Sequence, residues 1–128
     1  MQGLVGEVKA IAVHPSEPGT VVVGTSSGLY LSRDAGDTFV LISGIQRVFA
    51  ASFDRSGDAV WFGTYDRVAK LVRLDLKAGF AVRELTLPPL QGDAIAHIAF
   101  NPSSAGEMAI ATTRRNLFVS RDDGSNWV

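Results

Sequence analysis

Ser32-Arg33-Asp34-Ala35-Gly36-Asp37-Thr38-Phe39-Val40 recurs later in the chain as Ser120-Arg121-Asp122-Asp123-Gly124-Ser125-Asn126-Trp127-Val128. The shared wording is Ser-x-Asp-x-Gly-x-(Thr/Asn)-aromatic. An internal repeat constrains architecture before any single residue does, because each copy must be the same supersecondary unit. The likeness extends upstream. Ala10-Ile11-Ala12-Val13-His14-Pro15-Ser16 parallels His97-Ile98-Ala99-Phe100-Asn101-Pro102-Ser103, and Val21-Val22-Val23-Gly24-Thr25 parallels Met108-Ala109-Ile110-Ala111-Thr112. A third, degenerate copy lies between them, with Phe49–Phe53, Val60-Trp61-Phe62-Gly63-Thr64 and Ala69–Leu74 in the matching places.

The period is roughly 40–47 residues, that of a four-stranded propeller blade. Each copy divides into short runs rich in Val, Ile and aromatics, punctuated by Gly, Pro, Ser and Asp, which is the signature of strands and turns. Val8–Val13, Thr20–Thr25, Gly28–Arg33 and Thr38–Ile42 are the expected strands A to D of the first copy. Pro15, Pro18 and Pro102 fall in A–B turns, where a missing N–H costs little. No stretch sustains a helical period. The expectation is all-β: three four-stranded antiparallel blades at about 8–43, 48–87 and 95–128, the last incomplete within the chain.

Gly24-Thr25-Ser26-Ser27-Gly28-Leu29-Tyr30-Leu31-Ser32-Arg33-Asp34 resembles the Asp-box, or bacterial neuraminidase (BNR), repeat of sialidases, glucan-cleaving glycosidases and sortilin-type receptors. The resemblance covers nearly the whole chain. It implies a sialidase-like β-propeller, and it implies a structural role, away from the catalytic face, for Ser32, Asp34, Gly36, Phe39, Ser120, Asp122, Gly124 and Trp127. The chemistry agrees: a short acid accepts turn N–H groups, glycine supplies a positive φ, and the aromatic packs between blades. Arg73-Leu74-Asp75-Leu76-Lys77-Ala78-Gly79-Phe80 keeps the residue types but not the spacing, so the middle hairpin is built differently.

The chain has 128 residues, 46% of them apolar, and a net charge of −1. One modest domain with a core fits that length. Near-neutrality argues against nucleic acid as a partner. No apolar run is long enough for a membrane span, and Met1–Ala10 is not worded as a signal peptide. Absence of cysteine excludes disulfides and thiolate metal sites. Neither a cofactor nor a metal is expected, and the sequence leaves the compartment open.

Propellers have four to eight blades, and three leave sheet faces and edges uncovered. Leu4-Val5-Gly6-Glu7-Val8-Lys9-Ala10 is similar to Ile42-Ser43-Gly44-Ile45-Gln46-Arg47-Val48. Residues 2–6 are therefore a candidate exchanged strand, completing the last blade of a second chain. A homodimer of this kind gives six blades with C2 symmetry. A fragment of a longer propeller and an open half are the alternatives.

Antiparallel order puts the B–C turns and D–A linkers on one rim. In the family that rim carries the central pocket. Here it holds Ser26-Ser27, Tyr65-Asp66-Arg67, Arg114-Arg115, Gln46-Arg47 and Gln91-Gly92-Asp93. Tyr65, Asp66, Arg67, Arg114, Arg115 and Arg47 are the candidate contacts. The arginines suit a carboxylate or sulfate, and Tyr65 is the aromatic expected to be exposed. A small polar ligand, a glycan or a peptide fits such a rim. Catalysis requires more. The resemblance implies a Tyr nucleophile with a Glu and an acid–base Asp, and the family's Arg-Ile-Pro signature is missing. Other glycosidases need two facing carboxylates, for which Asp66 and Asp93, or Asp66 repeated in a dimer, qualify by position alone. His14 reads as a turn cap. His97 is expected on strand A near the channel, buried and hydrogen-bonded. The sequence thus favours a non-catalytic scaffold or binding module over a glycosidase-like enzyme or an assembly unit without a site.

Overall fold

A computed structural model describes residues 3–90 and 92–128. The described residues form three antiparallel sheets, each a meander of consecutive hairpins. The first holds β1 (Val8–Val13), β2 (Val21–Thr25), β3 (Gly28–Ser32) and β4 (Val40–Ser43). The second holds β5 (Val48–Phe53), β6 (Ala59–Asp66), β7 (Val68–Asp75) and β8 (Ala81–Leu85). The third holds β9 (Ile95–Phe100), β10 (Met108–Thr112) and β11 (Leu117–Ser120). Its fourth position is occupied by Val128, which exchanges both backbone hydrogen bonds with Val119, at 2.9 and 3.1 Å.

The sheets stack face to face as blades. First strands lie innermost, with β1 against β5 and β5 against β9. Each of these strands carries a bulge at the same place, between Val8 and Ala10, Val48 and Ala50, and Ile95 and His97. A bulge bends and twists its strand, so its recurrence makes Val8, Val48 and Ile95 equivalent positions.

Alternation along the strands gives every sheet two apolar faces. Between the first two blades, Val22, Leu29 and Leu31 meet Phe62, Val72 and Leu74. Between the second and third, Trp61 and Leu71 meet Ile95, Met108 and Ile110. Phe100 sits edge-on to Trp61, with ring centroids 5.4 Å apart. Full burial of a residue such as Phe62 contributes about 2–3 kcal/mol. Both joints need a glycine on the preceding blade. A Cβ on Gly24 would lie 2.4 Å from Val48 Cγ1, and one on Gly63 would lie 2.9 Å from Ile95 Cβ.

The expected strand D of the first blade began at Thr38. It begins at Val40 because the Thr38 N–H is taken by Asp34 Oδ1 at 2.9 Å, inside the turn. In the middle blade Lys77 N donates to Asp75 Oδ1, and Gly79 and Phe80 both take positive φ, which closes a differently built hairpin. Among the described residues no helix is long and apolar enough to cross a membrane. Of the candidate exchanged strand, Gln2 lies outside the described residues. Leu4 packs on the open face of the first blade with Val23, Tyr30 and Phe39.

Candidate functional site

The two repeated turns lie on the rim opposite the arginines and share one hydrogen-bond pattern. Ser32 Oγ donates to Asp34 Oδ1 at 2.8 Å and accepts from Gly36 N at 2.9 Å. Asp34 then accepts from the backbone N and hydroxyl of Thr38. In the last blade Ser120 Oγ donates to Asp122 at 2.9 Å and accepts from Gly124 N at 2.8 Å. Asn126 supplies the same two donors to Asp122, at 2.8 and 2.7 Å. The donors on Thr38 hold the Asp34 carboxyl down at about 2, and those on Asn126 lower Asp122 likewise. Gly36 and Gly124 take positive φ, and so do Ala35 and Asp123 before them, which residue type did not disclose. Ala35 N and Asp123 N donate to the carbonyls of Gly19 and Gly106, tying each repeated turn to its A–B turn. Phe39 is buried, and Trp127 Nε1 donates to Thr86 O at 2.9 Å.

On the arginine rim the candidates separate. Arg47 and Asp66 come together, with Arg47 Nη1 3.9 Å from Asp66 Oδ1, both side chains exposed. They line a cleft of about 410 Å³ with Gln46, Thr64, Val68 and Lys70. Tyr65 does not line it. Side chains alternate along a strand, so Thr64 and Asp66 face this cleft while Tyr65 projects to the other side, half-buried rather than exposed. The Tyr–acid neighbours in sequence are thus not neighbours in space. Lys70 pairs directly with Thr64 across the β6–β7 hairpin. Pairing register, rather than any motif, identifies it, and sequence reading passed over it.

Arg67 alone forms the turn between Asp66 and Val68, exposed and at φ 67°. Arg47 and Arg115 also take positive φ, at 60° and 69°. Non-glycine residues in this region are uncommon and each costs on the order of 1–2 kcal/mol. Arg114 and Arg115 are exposed on the third B–C turn and do not line the cleft. The Arg114 guanidinium lies against Gly92, where a Cβ would be 3.3 Å from Nη2.

Asp93 is committed elsewhere. It is 2% exposed. Its Oδ1 accepts from Thr113 Oγ1 at 2.7 Å, Arg114 N at 2.9 Å and Ala94 N at 3.0 Å, and its Oδ2 from Asn116 Nδ2 at 3.2 Å. Burial pushes this carboxyl up, but the assembled donors outweigh it and hold the group well below the usual carboxylate range. It pins the D–A linker to the third B–C turn. An acid so held neither gives up nor takes a proton near neutrality. Gln91 lies outside the described residues.

His14 caps its turn through Nδ1, which accepts from Ser16 N at 3.1 Å and Glu17 N at 3.0 Å. It also reaches the second blade, Nε2 lying 3.1 Å from Gly57 O. His97 is exposed rather than buried. It lines an inner groove of about 330 Å³ with Lys9 and Phe49. A cleft of about 430 Å³ lies on the box rim between the second and third blades. In it Arg55 Nε donates to Pro102 O across the joint, and Ser56 Oγ donates to Asp54. Among the described residues no group of three or more His, Asp or Glu could hold a metal.

No protein-family model matches the chain, and no curated protein matches it. Solved structures do. An ancestral GH74 enzyme aligns with a TM-score of 0.73 at 16% identity over 94% of this chain. The GH74 enzyme of Niastella koreensis aligns at 0.73 and 14% identity over 100% of it. YCF48 bound to D1 peptide aligns at 0.69 and 16% over 98%. The chain spans 18%, 24% and 41% of those three chains, respectively. At these identities the likeness establishes the β-propeller fold.

Proposed function

We propose that this chain is a non-catalytic β-propeller binding module of the BNR type that works as a homo-oligomer. It takes an anionic group of a small polar ligand, a glycan or a peptide at the arginine-bearing rim. One observation carries the reading. The rim cleft joins the cations Arg47 and Lys70 to a single carboxylate, Asp66, while Asp93 is sealed by its own donors and Glu7 is paired with Lys9. Hydrolysis of a glycosidic bond by paired acids needs two carboxyl groups facing one another across the substrate. Binding needs only the charge and the cleft, and a guanidinium meets a carboxylate or sulfate through paired N–H donors. Arg47, Arg67, Lys70, Arg114 and Arg115 outnumber the exposed acids Asp66 and Glu7 on this side. The similar structures include enzymes and a peptide complex, so fold does not choose between activities and the site must.

Calorimetric titration with a glucuronate oligosaccharide, and with a peptide bearing a free C-terminal carboxylate, tests the reading. One of these probes binds, without turnover. Arg47→Ala weakens it about tenfold, the equivalent of about 1.4 kcal/mol. Asp66→Asn strengthens it by releasing Arg47. Turnover of the oligosaccharide, or binding indifferent to both Arg47→Ala and Lys70→Ala, overturns the proposal.

A further inference from the structure

The two outward faces of the three-blade stack differ in relief. At both internal joints the following blade presents bulky side chains from its first strand: Val48 and Phe53 at one, Ile95 and Phe100 at the other. Val48 is 0% exposed and Ile95 1%. The equivalent residues of the first blade are Val8 and Val13, which are 50% and 66% exposed, with Ile11 between them also 66% exposed. They have the same register and chemistry, and among the described residues no blade covers them. A linker residue marks the joint as well. Ile45 packs at the first joint and Leu90 at the second. Leu4 packs against a single blade. At the far end, the outward face of the third blade carries the small residues Ala99, Ala109 and Ala111 beside His97, Val119 and Leu117, the last 67% exposed. The positions equivalent to Ala99 and Ala111 at the first joint are Ala12 and Gly24, which receive Phe53 and Val48.

We infer that the small-residue face of the third blade receives Val8, Ile11 and Val13 of a second copy, head to tail, and that two such joints close the ring. Continuity with the internal joints specifies the geometry: Val13 seats on Ala99 as Phe53 does on Ala12, and Val8 on Ala111 as Val48 does on Gly24. The methyl of Ala111, where the internal joints have glycine, sets this joint slightly wider. Two copies of the three described sheets give six blades, within the four to eight of closed rings. Head-to-tail contacts that close leave no uncovered face, whereas those that fail to close grow filaments. Both arginine rims then lie on one side of the ring. This rests on the proposed module only for its homo-oligomeric state, so loss of ligand binding would leave it standing.

The test is sedimentation velocity on the whole chain. The unmodified protein runs at twice the chain mass. Ile11→Arg and Ala109→Asp, each at a non-buried site and checked for fold by circular dichroism, both give monomers. The double variant restores the dimer, because each joint then sets an Arg against an Asp. A monomeric unmodified chain, a growing polymer, or a dimer lost with Ile11→Arg but kept with Ala109→Asp overturns the inference. Cysteine pairing gives a second measurement that requires no loss of assembly, since the chain has no cysteine of its own. Val13→Cys and Ala99→Cys chains, mixed and oxidised, cross-link to one another. Cross-linking of Val13→Cys only to itself places like faces together and refutes the head-to-tail arrangement.

Discussion

Gly57→Ala probes the pin between the first two blades, and its cost depends on His14. Gly57 has φ +79°, and a Cβ there would lie 2.3 Å from both Cε1 and Nε2 of the His14 ring. Nδ1 accepts from two backbone N–H groups, so the ring proton sits on Nε2 and is donated to Gly57 O. The ring is buried and lies 4.9 Å from Phe53. An alanine at position 57 incurs about 1–2 kcal/mol from the left-handed backbone. It also pushes the ring off its bond to Gly57, about 1 kcal/mol, and off Phe53, about 1 kcal/mol more. The sum is about 3–4 kcal/mol. His14→Ala loses three hydrogen bonds, about 3 kcal/mol. With the ring gone, Gly57→Ala retains only its backbone cost. The double variant is then destabilised by about 4–5 kcal/mol rather than the additive 6–7, a coupling of about 2 kcal/mol. Guanidinium unfolding of all four proteins, followed by the fluorescence of buried Trp61, measures it. Coupling below about 0.5 kcal/mol, the level of independent sites, would refute the pin.

Phe62→Ala empties the joint between the first two blades and costs about 3–5 kcal/mol in the same assay. Asp34 has a lowered folded pKa of about 2 against an ordinary 3.8, so its contribution is complete above pH 3.8 and lost as pH falls through about 2. Thermal scans between pH 5 and 2 show a fall in Tm that flattens in Asp34→Asn. Asp93→Ala leaves the Arg114 N–H without its acceptor and the Ala94 N–H with Thr113 Oγ1 alone, and hydrogen exchange rises most at Arg114 while the β5–β7 amides keep their protection. Asp66→Asn changes stability by less than about 1 kcal/mol, because its pair with Arg47 is solvent-exposed.

Features that depend on residues a few positions apart could be read directly from the order of amino acids. Ser32, Asp34 and Thr38 close a turn using their own neighbours, and Ser120, Asp122 and Asn126 do the same, so repeat wording was enough to place both boxes and the strands around them. His14 as a cap was legible for that reason, since Ser16 and Glu17 follow directly. The reach of His14 to Gly57, across 43 residues, was not. The rim depends on how the strands pair and the blades stack. Tyr65 and Asp66 are adjacent in the chain, but strand alternation sends them to opposite faces, and only pairing register brings Lys70 to Thr64. Asp93 looked like a free acid because the donors that engage it, Thr113, Arg114 and Asn116, come from a turn about twenty residues away. Hydrogen bonds within a turn follow from local wording. Which carboxylate is sealed and which faces a cleft follows from how blades stack, and stacking is set by side-chain volume between residues far apart in the chain.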